Sequence, residues 1–261
     1  MNIGAIGTLF ALSILAGMLL SIEIGFRLGR LHQKKNLEEK PSGFGAVEGA
    51  VFGLMGLLVA FSFSGAAARF DSRRQLIVEE ANAIGTAYLR LDLLPPDTQP
   101  NLREDFCRYL DTRLAAYEAF PDLEAVKNKL EESARVQARI WSQAIKATQE
   151  AQNPAVTSLV IPALNQMIDI TTTRTMVLKT HPPLVIYMML AIAALASAVL
   201  AGYGMAVRET RSWIHVLGFA ALMAITIYVI MDLEYPRVGL IRIDDFDHVL
   251  VDLRKSMNEG P

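Results

Sequence analysis

A single cysteine, Cys107, stands among 261 residues, so the chain closes no disulfide on itself and builds no cysteine-based zinc cluster. Charge of neither sign predominates. The 25 lysines and arginines face 27 aspartates and glutamates, and a net charge of -2 gives no electrostatic reason to expect nucleic acid as a partner. The histidines (His32, His181, His215 and His248) are scattered, without a His-Glu-x-x-His or a carboxylate at ligand spacing, and no metal site is expected. Neither a Gly-x-Ser-x-Gly elbow nor a phosphate-cradling glycine loop occurs, and Gly202-Tyr203-Gly204 closes an apolar run as a packing or bending feature. No catalytic residue and no cofactor are therefore expected. Alternating apolar and polar residues, the mark of a half-buried strand, are missing too, as are internal repeats.

What the chain has in abundance is long apolar runs. Apolar residues make up 52% of it and charged residues 20%, a balance that fits an integral membrane protein with one modest polar region. The first run begins at Ile3 without a basic leader and continues past Ile22, too long for a signal-peptide core, so a retained span is expected. Hydropathy predicts four spans, at 3–26, 44–68, 183–207 and 213–231. They would form two hairpins, one closed by the basic, turn-prone stretch 27–42 and the other by Arg208-Glu209-Thr210-Arg211. The expected fold is all-α. Its predicted regions are a first transmembrane hairpin (1–68), a helical soluble insert continuous with the second and third spans (69–182), a second hairpin (183–231) and a C-terminal tail (232–261).

Within the insert, the second span is expected to extend from Phe70 until Pro95-Pro96 stops it. Asn101 and Glu104 have capping-box spacing and predict a helix with Leu102, Phe106, Tyr109, Leu110 and Tyr117 on one face. Leu123, Val126, Leu130, Ile140, Trp141 and Ile145 predict a second, charged helix. Asn153-Pro154, a cap followed by proline at the first helical position, opens a third toward Lys179.

The second span carries the most information. From Gly43 to Ala68 it holds 26 residues whose only ionisable member is Glu48, and it meets Arg69-Phe70-Asp71-Ser72-Arg73-Arg74 with no intervening Gly or Pro. A helix rising about 1.5 Å per residue crosses a hydrocarbon core of about 30 Å at that length. Small residues recur along it: Gly45, Gly49 and Gly53, then Ala60, Ser64 and Ala68. In lipid such a stripe lets another helix approach closely, and Gly45, Gly49, Ala60 and Ser64 are the helix-packing candidates. Just beyond the span, Arg69, Asp71, Arg73, Arg74, Glu79 and Glu80 form a dense charged patch, fit either to line a vestibule or to be solvated or ion-paired. Glu23 and Glu48 lie in or near the membrane, where a carboxylate raises the idea of an ion path. Each lies near the end of its span, so snorkelling to the interface is the simpler reading. Asp244, Asp245 and Asp247 suit either a cation or, more simply, the cap of a final helix carrying Phe246, Val249, Leu250 and Leu253.

Several blocks resemble the bestrophin-like family of bacterial membrane proteins. They are Phe70-Asp71-Ser72-Arg73-Arg74, the run from Glu79-Glu80-Ala81-Asn82 to Tyr88-Leu89-Arg90, Leu164-Asn165-Gln166-Met167-Ile168-Asp169, Arg174, Pro182-Pro183 and Pro236-Arg237-Val238-Gly239-Leu240-Ile241-Arg242. More distantly the chain resembles true bestrophins, pentameric anion channels whose second span lines the pore and continues through an Arg-Trp-Trp element. Arg69-Phe70-Asp71 stands at the place of that element, with Phe70 and Asp71 where the tryptophans would be. Counting back from Arg69 puts the pore-lining neck positions at Gly53, Leu57 and Phe61, the first departing from the apolar pattern. The resemblance also implies a bacterial inner-membrane location with the insert and both termini cytosolic. The basic residues flanking the spans do not choose a side, since they balance.

The leading expectation is an oligomeric channel in the lipid bilayer, a homo-oligomer such as a pentamer, passing small anions. The alternative is a non-conducting scaffold or sensor, in which Leu57 and Phe61 face lipid or pack in a bundle and the insert couples partner or ligand binding to the spans.

Overall fold

The computed structural model describes residues 3–35, 44–207 and 212–259, and among these every regular element is a helix. The main helices are α1 (Ile3–Lys35), α2 (Phe44–Leu89), α3 (Gln99–Glu118), α4 (Leu123–Glu150), α5 (Pro154–Lys179), α6 (Leu184–Val207), α7 (Trp213–Glu234) and α8 (His248–Glu259). Four helical stretches are long and apolar enough to cross a membrane, and they overlap the four expected spans. The chain folds as two compact units, Met1–Phe70 with His181–Ile241 and Asp71–Thr180 with Arg242–Pro261. The tail after α7 is thus divided between them.

In the first unit α1 packs along α6 and α7. The α1–α6 seam depends on missing side chains. A Cβ at Gly25 would run into the backbone carbonyl of Val199, and one at Gly202 into that of Ile22. Farther along, a Cβ at Gly29 would come within 2.7 Å of the Ala206 Cβ. Backbones this close gain dispersion contacts that lipid tails cannot replace. Around the seam, Ile14, Met18 and Ile22 of α1 share a core with Ala194 and Ala198 of α6, Val216, Ala220 and Ile227 of α7, and Met55 of α2. A second, smaller cluster joins Ala66 of α2 to Leu190, Ile230 and Leu233.

The stretch 27–42, expected to be a turn-prone linker, is helical as far as Lys35. Its Leu, Arg, Gln and Lys residues are good helix formers, and Gly29 and His32 continue the contact with α6 through Ala206 and Tyr203. The rest of that linker and the 208–211 turn lie outside the described residues.

The second unit is built from the distal part of α2 and from α3, α4, α5 and α8. The apolar face expected on α3 is buried in full: Leu102, Phe106, Tyr109, Leu110 and Tyr117. Its start differs from expectation. The helix opens at Gln99, before Asn101, because Pro100 has the fixed φ of a first helical turn, and Thr98 hydrogen-bonds back to the Pro95 carbonyl at 2.8 Å. Asn101 therefore lies within the first turn instead of capping it. On α4, Val126 and Ile140 are buried, whereas Leu123 is exposed. Asp122 caps this helix by accepting from the Glu124 and Ala125 amides. Asn153 caps α5 as anticipated, accepting from the Ala155 amide at 3.0 Å, and α5 runs to Lys179.

The α1–α6 seam yields a direct prediction. Gly202→Leu forces the two backbones apart, and an overpacking penalty of about 3 kcal/mol or more is expected. Thermal unfolding in detergent should show a clear fall in midpoint, while Gly218→Leu, at a glycine with nothing within 4 Å, leaves it nearly unchanged.

Candidate functional site

Helix α2 is the least covered of the membrane helices. Its apolar stretch is 11% buried, against 28% for each of the other three. The covered edge carries Met55, Val59 and Ala66, together with Phe52, whose ring meets Phe219 edge-on at 6.0 Å. The packing candidates Gly45, Gly49, Ala60 and Ser64 and the pore-lining candidates Gly53, Leu57 and Phe61 all lie on the uncovered side. No atom comes within 4 Å of a Cβ built at Gly45, Gly49 or Gly53. Leu57 and Phe61 are 51% and 69% exposed. Stripe and ring are therefore neighbours on one free face. Of the two carboxylates noted at the membrane, Glu23 pairs with Arg27 one turn on at 2.8 Å, and Glu48 lies against Gly204 of α6.

Where α2 leaves its apolar stretch, Arg69 meets Glu234, the last residue of α7. Both the Arg69 Nε and one η nitrogen donate to the same carboxylate oxygen, at 2.8 and 2.6 Å. The Glu234 side chain is fully buried, and its second oxygen lies 3.9 Å from His181 Nδ1. The His181 ring stacks on Tyr235 with centroids 4.6 Å apart. Two residues before Glu234, the Asp232 carboxylate accepts the backbone amides of Leu240 at 3.0 Å and Ile241 at 2.7 Å, folding the segment after α7 back on its helix end. Gly239 lies so close to that carboxylate that a Cβ would collide with it. Carboxylates buried this deeply persist only when such donors replace their water.

The remaining members of the charged patch belong to the second unit. Asp71 pairs with Arg74 at 3.0 Å, and the Arg74 guanidinium lies 4.1 Å from the centre of the Phe246 ring. Arg73 is 2% exposed and donates to the Thr180 carbonyl at 2.9 Å, supplying an acceptor's partner at the end of α5. Glu79 is exposed and accepts from Gln75. Its neighbour Glu80 points the other way, is 0% exposed, and forms the hub of a network. Arg113 Nε donates to one of its oxygens at 2.7 Å, while Tyr117 at 3.1 Å and Arg174 donate to the other. The Arg174 guanidinium also covers the Tyr117 ring at 4.0 Å and reaches Asp247 at 3.3 Å. One carboxylate thus gathers α2, α3 and α5 and, through Arg174, the turn before α8. Arg113 went unnoticed in the sequence and Tyr117 was expected only on the apolar face of α3, although their spacing of four places them on one side of that helix.

Burial pushes the Glu80 carboxyl upward, but the charges and hydrogen bonds of Arg113 and Arg174 outweigh it and hold it below its ordinary value. Tyr109, fully buried beside the network, has its phenol pushed upward by that burial. In the acidic tail, Asp247 is engaged by Arg174 and Asp244 by Arg242. Among the described residues no group of three or more His, Cys, Asp or Glu side chains could hold a metal ion. Asp244 and Asp245 do not open the last helix either. A short 3-10 turn, Asp244–Asp247, precedes it without a side-chain cap, and α8 begins at His248.

Four membrane helices joined to a helical polar unit define the class, an all-helical multi-pass membrane protein. Residues 11–245 match the Bestrophin-like domain family, and the chain belongs to that family. Solved structures agree in fold. A point variant of a bacterial bestrophin homologue from Klebsiella pneumoniae aligns with a TM-score of 0.69 at 12% identity, over 96% of this chain and 99% of its own. A second variant of that homologue aligns at 0.65 and 14% identity, over 93% and 99% of the two chains. A structure described as a membrane protein aligns at 0.68 and 11% identity, over 95% and 97%. No curated protein matches.

The Glu80 network carries a stability prediction. Because its folded value is depressed, the paired carboxylate stabilises the unit above the ordinary glutamate value of 4.5, and that contribution is lost as pH falls through the lower folded value. Glu80→Gln leaves the buried Arg113 without its counter-charge and Arg174 with Asp247 alone, and is expected to cost about 3–5 kcal/mol at neutral pH. Circular-dichroism melts of both proteins across a pH series should show the gap between them shrinking in acid.

Proposed function

We propose that the protein is an oligomeric ion channel of the bestrophin type, passing small anions, with α2 lining the pore. The observation that carries this reading is the uncovered face of α2. A helix of membrane length with Gly53, Leu57 and Phe61 in a row and with little cover from its own chain is suited to face a shared axis. Copies arranged around that axis, five in the simplest bestrophin-like ring, would present Leu57 and Phe61 as a hydrophobic constriction that gates by dewetting. Gly45, Gly49, Ala60 and Ser64 would then seat the neighbouring copy.

Arg69, Arg73 and Arg74 are the candidates for a positive vestibule. Each already meets an acceptor, Glu234, the Thr180 carbonyl and Asp71 respectively. Their field is therefore largely compensated, and selection of anions over cations should be modest. In this reading the location is a bacterial inner membrane, with the 69–182 insert and both termini cytosolic. Tag accessibility in the segment between Leu94 and Gln99 tests the orientation.

A second reading is favoured by the Glu80 network, which anchors the continuation of α2 among α3, α5 and the C-terminal turn. A helix so anchored suits a non-conducting scaffold or sensor that passes partner or ligand binding along α2. Stoichiometry separates the two. A detergent-solubilised ring of like copies supports the channel, whereas a dimer or a stable hetero-complex supports the scaffold.

Purified protein in liposomes provides the functional test. Anion flux is expected, and Phe61→Ala, by widening the constriction, should raise it several-fold. Absence of flux, or flux indifferent to Phe61→Ala and Leu57→Ala, overturns the channel reading.

A further inference from the structure

Beyond Arg69 the outward face of α2 turns polar. Gln75, Glu79, Asn82 and Thr86 are all exposed and recur at steps of three or four residues, so they lie along one side of the helix. Glu79 stands about five helical turns beyond Phe61, and helical register puts it on the same side as Leu57 and Phe61. Gln75, Asn82 and Thr86 wet that face without favouring ions of either sign. Glu79 is different. Its carboxylate accepts a hydrogen bond from the Gln75 amide at 3.0 Å, and no lysine or arginine pairs with it among the described residues. The other charges of this stretch are already answered: Arg69 by Glu234, Asp71 by Arg74, Arg73 by the Thr180 carbonyl, and Glu80 by Arg113 and Arg174. Past the apolar stretch, the uncompensated charge on the open face of α2 is that of Glu79, and it is negative.

We propose that Glu79 is the charge-selectivity residue of the pore. One carboxylate per copy, set on the ion path beyond the hydrophobic constriction, draws cations in and holds anions back. This role rests on the pore reading of α2 and refines it. Rings of Asp or Glu favour cations and rings of Arg or Lys favour anions, because fixed charge in a narrow passage sets the local concentration of both ions. The arginines nearest to Glu79 along α2 are held by partners of their own, so its carboxylate dominates the field on this face. The anion preference of the channel is accordingly kept low, and Glu79 rather than the arginine cluster is the side chain that tunes it. Glu80 cannot take this part, since its carboxylate is buried on Arg113 and Arg174.

Reversal potentials of the full chain reconstituted in planar bilayers, under a potassium chloride gradient, test it. Glu79→Gln should raise the chloride-to-potassium permeability ratio several-fold, and Glu79→Lys should raise it further. Glu104→Gln, which removes an exposed carboxylate from α3, should leave the ratio unchanged. Glu79 is exposed, and surface substitutions of this kind leave a fold intact. The difference between wild type and Glu79→Gln should shrink in about 1 M salt, where the Debye length falls to about 3 Å from about 10 Å at about 0.1 M. An altered pore shape would not respond to salt in that way. Current with an unchanged ratio in both Glu79 variants, or an equal shift in Glu104→Gln, overturns the role of Glu79 and leaves the channel reading standing. Absence of current from every protein, wild type included, overturns both.

Discussion

A carboxylate with no access to water dictates the arrangement of the second unit. Glu80 keeps its charge because two guanidiniums and a phenol converge on its two oxygens, and each of those groups comes from a helix that must be in place for the charge to be tolerated. The desolvation cost of such a charge is several kcal/mol and falls due at once if any partner moves away. The network therefore ties α2, α3 and α5 to one another, and Arg174 extends the connection to Asp247 and the turn before α8. Packing of Phe106, Tyr109 and Leu110 around it supplies the apolar burial, which is less particular about register.

The membrane unit reaches specificity by other means. Its helices have no hydrophobic incentive to leave lipid for one another, so close backbone approach and a few buried polar pairs decide which faces meet. Gly25 and Gly202 let α1 and α6 touch at their backbones, and Glu234 draws Arg69 to the end of α7. Among the described residues nothing comes within 4 Å of a Cβ built at Gly45, Gly49 or Gly53 of α2. Their face remains open, a surface available to lipid or to other copies.

Much of this was legible from residue order. Four spans, an all-helical insert, the Asn153 cap, the buried face of α3 and the family blocks all follow from local patterns, because apolar length, 3.6-residue periodicity and capping chemistry act over a few residues. The charged patch from Arg69 to Glu80 was visible as a cluster, but its division was not. Glu79 and Glu80 are chemically near-identical neighbours, and only the rotation of one residue on a helix sends the first to solvent and the second into the core. The glycine stripe on α2 drew notice through its regular spacing, whereas the seam that binds the chain together uses glycines on α1 and α6, far apart in sequence.

The sequence by itself determined the class: helical, membrane-spanning, with one span running on into a charged extension and a bestrophin-like set of blocks. Those are properties of composition and short-range order. Tertiary structure alone decided which carboxylates are buried, which arginines are already spent on partners, and which face of α2 stays free. Each depends on what residues distant in the chain bring to the same point, and the energy of a charge in a protein is set by those surroundings far more than by its neighbours in sequence.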